Sequence, residues 1–182
     1  DNHDLGRFMR KGESDLRRYK QAIAFLLTTR GIPQIYYGTE ILMYGTKAEG
    51  DGVIRTDFPG GWSGDPKNAF TAEGRTDLQN EAWNYMKKLL NWRKGCDAVK
   101  EGKLIHYTPD QSGCYVYARI KGDKTVLVLM NGTNQNKTLD MKRFHEVIKD
   151  SRSGKDVITE TTVPVDGTVE IPARGVYVLE LL

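Results

Sequence analysis

Long apolar runs are missing from this 182-residue chain, and no stretch approaches the roughly 18 residues that a membrane-spanning helix needs. Cysteine is scarce. Cys96 and Cys114 are the two thiols; they show no metal-like clustering and leave the redox compartment open, and two free thiols are expected rather than a disulfide. Charge of a single sign is absent as well. Lys and Arg number 27 against 24 Asp and Glu, interleaved to a net +3, so there is no dense basic stripe to neutralise a phosphate backbone, and nucleic acid is excluded as a partner. No internal repeat, low-complexity segment or signal peptide is visible. What remains is 38% hydrophobic and 28% charged residues, the composition of an ordinary folded domain with room for one large or two small cores.

A change of pattern near residue 102 divides the chain into residues 1–102 and 103–182. In the first part, Ser14 or Asp15 is placed to cap a helix along which Leu16, Tyr19, Ile23, Leu26 and Leu27 recur at three- and four-residue spacing. Gly31 and Pro33 stop it. Residues 32–37 are short, apolar and β-rich, as in a strand buried on both faces of a parallel sheet. Thr76 and Gln79 form a capping box for a second helix with an Ala82, Tyr85, Met86, Leu89 and Leu90 stripe, closed by Gly95. Between strand and second helix lies a loop, residues 39–74, far longer than the connections of compact domains.

From Lys103 onward short strands alternate with turn residues. Segments 104–107, 114–120, 125–130, 156–161, 168–171 and 176–181 fit, separated by pairs such as Asn131-Gly132 and Asp166-Gly167, and the spacing predicts an antiparallel β-sandwich. Residues 141–148 predict a short helical turn.

Two segments carry the function. The chain opens on Asp1-Asn2-His3-Asp4, and one helix later comes Gly31-Ile32-Pro33-Gln34-Ile35-Tyr36-Tyr37-Gly38-Thr39-Glu40. Alone, an Asn-His-Asp triplet reads as turn or capping chemistry. With its companion it closely resembles the alpha-amylase family of glycoside hydrolases (glycoside hydrolase family 13), where Asn-His-Asp ends barrel strand seven and Gly-x-Pro-x-x-Tyr-Tyr-Gly-x-Glu forms strand eight. The resemblance implies the last part of a TIM (β/α)8 barrel over residues 1–102, followed by the family's C-terminal sandwich. It also implies a piece of a larger protein, with the nucleophile and general acid preceding Asp1, so that this chain by itself should be inactive.

Carried over position by position, Asp4 resembles the family's third carboxylate, the transition-state stabiliser that binds the 2- and 3-hydroxyls of the sugar at the cleavage point. Such contacts strengthen as the ring flattens toward an oxocarbenium ion. His3 resembles the neighbouring histidine that donates to the same sugar; Asn2 binds or simply holds the turn. Both have the address that barrel active sites use, the C-terminal end of a strand ahead of a helix.

The long loop contains Arg55, Asp57, Phe58 and Trp62 around Pro59-Gly60-Gly61. Aromatic faces suit the apolar faces of sugars, while Arg and Asp suit hydroxyls, so Arg55, Asp57 and Trp62 are candidate substrate-binding residues. The alternative is that Phe58 and Trp62 only anchor the loop. The wording Asp57-Phe58-Pro59-Gly60-Gly61-Trp62 resembles the neopullulanase and cyclomaltodextrinase branch of Bacteroidetes; the location is left open, with a periplasmic or otherwise exported bacterial protein as the leading expectation. Glu40 reads equally as a site residue or an ion-pair partner.

No metal ligands and no cofactor are expected; Asp51-Gly52 and Asp65-Pro66 lack the ligand spacing of a calcium loop, although calcium is compatible with the full-length parent. The Asn131 and Asn136 sequons matter only in a eukaryotic secretory setting. Lys87, Lys88 and Lys94 read as a solvated face, and His106 and His145 carry no assigned role. The expected partners are α-glucan oligosaccharides or polysaccharides, with oligomers possible. Three readings stay open: a retaining α-glucan hydrolase, a noncatalytic carbohydrate-binding or interaction module, and a transglycosylase or isomerase of the same family.

Overall fold

The computed structural model describes residues 1–182. Helix α1 (Arg17–Thr28) begins where the Asp15 carboxylate accepts from the Arg17 amide at 3.0 Å, satisfying a free N–H of the first turn. Its stripe is buried: Leu16, Tyr19, Ile23, Ala24 and Leu27 are all at most 5% exposed. Helix α3 (Asp77–Gly95) starts on the expected reciprocal cap, with the Thr76 amide donating to Gln79 Oε1 at 3.0 Å and the Gln79 amide to Thr76 Oγ1 at 3.2 Å. It ends at Gly95, and a short α4 (Asp97–Glu101) follows.

The chain condenses into two compact units. One comprises residues 1–19 and 33–87, the other residues 20–32 and 88–182, so α1 and α3 each contribute residues to both.

The second unit holds the sandwich. Strands β1 (Lys103–Tyr107), β2 (Cys114–Lys121), β3 (Lys124–Asn131), β5 (Ser153–Asp156), β6 (Thr162–Pro164) and β8 (Val176–Leu181) form an antiparallel sheet in the order β1-β2-β3-β8-β5-β6. β4 (Lys137–Asp140) and β7 (Thr168–Ile171) pair antiparallel as a second sheet. Alternation on β2 and β3 sorts the side chains. Val116, Ala118, Leu127 and Leu129 enter the core shared with Leu139, Met141, Phe144, Val169 and Ile171, each fully buried leucine contributing about 2 kcal/mol. The opposite face takes Tyr117 and Arg119 toward the second half of α1, where Thr28 Oγ1 and the Tyr117 hydroxyl lie 2.6 Å apart. Phe25 meets the Tyr117 ring edge-on, and Gln21 Nε2 donates to the Asn131 carbonyl at 2.7 Å. Both faces of the central strands are thereby buried, which is why β3 reads as a continuous apolar run.

Two expectations are corrected. Residues 32–37 have no strand hydrogen bonding, and Ile32 is 97% exposed, because no other strand of this chain pairs with them and a strand exists only by its ladder. Residues 156–161 do not form one strand. The buried Asp156 accepts from the Thr159 amide and hydroxyl, a carboxylate turn that ends β5 and returns the chain as β6. β4 escaped the sequence pattern, since only Leu139 of its four residues is buried. The helical turn at 141–148 is present as a 3-10 turn, Met141–Phe144, and α5 (His145–Ile148).

Candidate functional site

The opening turn is held by Asn2, whose Oδ1 accepts from the amides of Asp4 and Leu5, both at 2.8 Å. Asn2 thus has a structural task here. With the turn fixed, the His3 and Asp4 side chains project outward, 66% and 67% exposed, with His3 Nε2 3.2 Å from Asp4 Oδ2.

Arg55 joins them. Its Nε donates to the His3 carbonyl at 2.9 Å and its Nη2 lies 3.6 Å from Asp4 Oδ1. The same Nη2 donates to Asp51 Oδ2 at 2.9 Å, and Asp51 also accepts from Lys47. Lys47 lies in a 3-10 turn (Lys47–Glu49) and Asp51 opens α2 (Asp51–Ile54) beyond the non-helical Gly50, so the ion pairs to Asp51, rather than one continuous helix face, draw Lys47, Asp51 and Arg55 together. The Lys47 ammonium, helped by Arg55, holds the Asp51 carboxyl below its ordinary range. Arg55 is therefore a tether of the His3-Asp4 turn as well as an exposed guanidinium. Lys47 and Asp51 are members of the group that sequence reasoning missed, because the break at Gly50 hides their pairing from any helical pattern.

Beneath the turn lies a second missed pair. The Asp1 carboxylate accepts from the Phe8 amide at 2.6 Å and from Thr39 Oγ1 at 2.9 Å, and it faces Arg7 Nη1 at 3.7 Å. Arg7 is buried, donates to the Ile54 and Tyr37 carbonyls, and stacks 4.3 Å over the Tyr36 ring. Thr39 and the two tyrosines belong to the Tyr-Tyr-Gly-Thr-Glu segment, so the two motifs meet through Asp1 and Arg7. Gly38 makes the exit from that segment possible: its φ is 83° and a Cβ there would fall 2.2 Å from Met43 Sδ. Glu40, partly buried, is not among the residues bonded to His3, Asp4 or Arg55.

The loop beyond Arg55 is closed on itself. The Ala69 amide donates to the Pro59 carbonyl at 2.8 Å, Phe58 packs on Phe70 with centroids 4.6 Å apart, and Gly60 (φ 109°) passes so close to Asn68 that a Cβ would clash at 2.5 Å. Arg75, stacked 4.1 Å over Trp83, donates to the Ala69 carbonyl and to Asn80, fastening the loop's end. Phe58 is the anchor. Trp62 is not; its amide bonds Asp65 at 3.0 Å, but the side chain stands 76% exposed. Asp57 is exposed, and no hydrogen bond or ion pair joins it or Trp62 to His3, Asp4 or Arg55.

The residues considered for calcium do not fit the ion. Asp51 is occupied by two cations and Asp65 by the Trp62 amide, and no three His, Cys, Asp or Glu side chains are grouped as metal ligands. Cys96 and Cys114 are free and buried, their thiols pushed up by burial. No helix is long and apolar enough to cross a membrane.

The chain has relatives among known proteins. Residues 104–180 match the model of the cyclo-malto-dextrinase C-terminal domain. A cyclomaltodextrin glucanotransferase of Paenibacillus macerans is 36% identical over 131 residues, covering 72% of this chain and 16% of the relative. An alpha-amylase of Niallia circulans is 30% identical over 183 residues, covering 96% of this chain and 31% of the relative. The crystal structure of an alpha-amylase from Geobacillus thermoleovorans, complexed with acarbose, superposes with a TM-score of 0.75 at 22% identity, covering 100% of this chain and 38% of that one. The chain thus spans well under half the length of these relatives. The shared fold is the end of an amylase barrel followed by a C-terminal β domain. The chain is accordingly homologous, over most of its length, to the C-terminal region of enzymes of the alpha-amylase family of glycoside hydrolases.

Proposed function

We propose that this chain is the C-terminal part of an enzyme that cleaves α-glycosidic bonds in maltodextrin, starch, pullulan or cyclodextrin with retention, and that the nucleophile and general acid come from residues preceding it. The observation that carries the reading is the exposed His3-Asp4 pair held by Arg55. A carboxylate and an imidazole 3.2 Å apart, on a turn fixed by Asn2 and tethered by Arg55, form a pre-oriented acceptor and donor for adjacent sugar hydroxyls. Asp4 then binds the 2- and 3-hydroxyls and stabilises the flattened ring, His3 donates to the same sugar, and Arg55 contributes a guanidinium edge. Trp62, bare on an anchored loop, and Asp57 supply a more distant glucan subsite.

Two carboxylates about 5 Å apart are needed for retaining hydrolysis, and Asp4 is neither of them in this reading. The domain division at residue 102 follows the same logic, with barrel before it and sandwich after it. The loop wording around Trp62 supports a specificity of the neopullulanase and cyclomaltodextrinase kind, and the cyclo-malto-dextrinase C-terminal match agrees with the second of these.

The glucanotransferase relatives favour a second reading in which the same site transfers glucan to a sugar acceptor instead of water. One experiment addresses both: the gene product extended upstream of Asp1 is incubated with maltodextrin and cyclodextrin, and its products are resolved by chromatography, with Asp4→Asn alongside. Hydrolysis products that vanish with Asp4→Asn support the first reading, and lengthened or cyclised products the second. Unaltered turnover in Asp4→Asn removes Asp4 from the mechanism.

A further inference from the structure

Asp51-Gly52, Asn131-Gly132 and Asp166-Gly167 each place a side-chain carbonyl carbon directly before a glycine, the arrangement that closes most readily into a succinimide. Glycine favours closure because its backbone can swing its own amide nitrogen onto the preceding side chain. The fold treats the three differently.

At Asn131-Gly132 both reacting groups are held. Asn131 is 0% exposed; its Nδ2 donates to the Gln135, Ile171 and Pro172 carbonyls at 2.7, 3.1 and 3.0 Å, and its Oδ1 accepts from the Thr133 amide at 2.9 Å and hydroxyl at 2.8 Å. The Gly132 nitrogen, the nucleophile in closure, donates to the Gly113 carbonyl at 3.0 Å. At Asp51-Gly52 the carboxylate is clamped between Lys47 and Arg55 where α2 begins, and these cations keep it ionised, whereas closure proceeds from the neutral acid.

Asp166-Gly167 has neither restraint. The pair forms an exposed bend between β6 and β7; Asp166 makes no hydrogen bond or ion pair, the Gly167 amide has no acceptor, and the space that a Gly167 Cβ would occupy is empty. On either side the chain is pinned. The Val165 amide donates to the Arg152 carbonyl at 2.8 Å, the Gly167 carbonyl accepts from the Met141 amide at 2.9 Å, and the β4–β7 ladder starts at the next residue, with Thr168 opposite Asp140.

We propose that Asp166-Gly167 is a self-modification site, at which aspartate isomerises to isoaspartate through a succinimide and thereby loosens the β4–β7 sheet. In closure, the Gly167 nitrogen gives up its proton and bonds to Asp166 Cγ, while a carboxyl oxygen leaves as water. In opening, water adds at the main-chain carbonyl carbon of Asp166, the bond from that carbon to the Gly167 nitrogen breaks, and the chain then runs through Cβ and Cγ. Atoms are conserved and no oxidant is required. The product carries an extra carbon in the main chain between the Val165 and Gly167 hydrogen bonds, which displaces the Gly167 carbonyl from the Met141 amide just ahead of the core residues Val169 and Ile171. None of His3, Asp4, Arg55 or Trp62 takes part, so the site is independent of glucan binding.

The 182-residue chain is stored at neutral pH and physiological temperature in water enriched in ¹⁸O, and its peptides are read by mass spectrometry with fragmentation that separates isoaspartate from aspartate. Label and isoaspartate should accumulate at residue 166 at least about tenfold faster than label at Asn131, where reaction waits for local opening. In urea that order should reverse, because a neutral amide carbon is more electrophilic than a carboxylate once the fold no longer holds it. Gly167→Ala, whose Cβ enters open space at a φ outside the left-handed region, should slow uptake at residue 166 about tenfold with the fold intact by circular dichroism. Asp166→Asn should react faster than the parent chain and release ammonia. In the isomerised fraction, amide exchange should rise over residues 137–140 and 168–171. Label at Asn131 ahead of residue 166 in the folded chain, a rate at residue 166 no greater than at the exposed Asp123, an unaltered rate in Gly167→Ala, or unchanged exchange in β4 and β7 overturns the proposal.

Discussion

Arg119, 1% exposed on β2, donates from Nη1 to the Thr28 carbonyl at 2.9 Å and so closes the C-terminus of α1. It also reaches the Thr29 carbonyl at 2.7 Å and, through Nη2, the Gly102 carbonyl at 2.8 Å. A buried cation at a helix C-terminus satisfies carbonyls that have no partner within the helix and opposes the negative end of its dipole. Arg119→Met keeps the side-chain volume and leaves three carbonyls unpaired. Urea unfolding should show a loss of about 3 kcal/mol. A loss within a few tenths of a kcal/mol would mean that water replaces the guanidinium.

Asp4→Asn, made in the protein extended upstream of Asp1, should lower turnover on maltodextrin by a factor on the order of 10² or more, because a neutral amide forfeits the contact that strengthens in the transition state. The melting temperature should not move, since the side chain is two-thirds exposed. Near-wild-type turnover would count against the role assigned to Asp4.

Trp62→Ala should weaken binding of long maltooligosaccharides while leaving turnover of a small aryl glucoside unchanged. Its 76% exposure and the Phe58–Phe70 anchor argue that the loop survives the substitution. Equal effects on both substrates, with a lower melting temperature, would make Trp62 an anchor after all.

Acid should loosen the Lys47-Asp51-Arg55 group. The Asp51 carboxyl is depressed first by its hydrogen bond from Lys47 and then by Arg55, so the unfolded chain binds the proton more readily than the folded one. Its stabilising contribution is complete above the unfolded value of about 4 and is lost as pH falls through the lower folded value. Chemical shifts of residues 47–55 followed by NMR should hold constant from neutral pH down to that point and change below it. The Asp51 carboxyl carbon, resolved from that of Glu49, should carry the change, and a midpoint at or above the unfolded value would overturn the prediction.

Cys96 and Cys114, buried with thiols pushed up, should react with an aromatic disulfide reagent at pH 8 only as fast as the chain opens. Mild urea should accelerate both. Rapid stoichiometric labelling of either in buffer would show that its surroundings are open.

Much of this protein was written locally. The Thr76-Gln79 cap, the Gly95 stop, the α1 stripe and five of the eight strands follow from spacing within a dozen residues, and the cap bonds are made as the pattern demands. The motifs around His3-Asp4 and Tyr36-Tyr37-Gly38 likewise point to the family by residue order alone.

Tertiary structure decided what depends on partners distant in sequence. Residues 32–37 have strand composition and no ladder, because hydrogen-bonded pairing is a property of two segments and not of one. Asp156 ended a strand that apolar alternation would have continued, since a buried carboxylate must collect N–H donors wherever the chain can bring them. Arg55 read as a sugar ligand, and only the fold brought its Nε to the carbonyl of a residue 52 positions earlier. Arg7, Asp1 and Arg119 carried no local signal at all, because a buried charge is intelligible only from the carbonyls and carboxylates that the folded chain gathers around it.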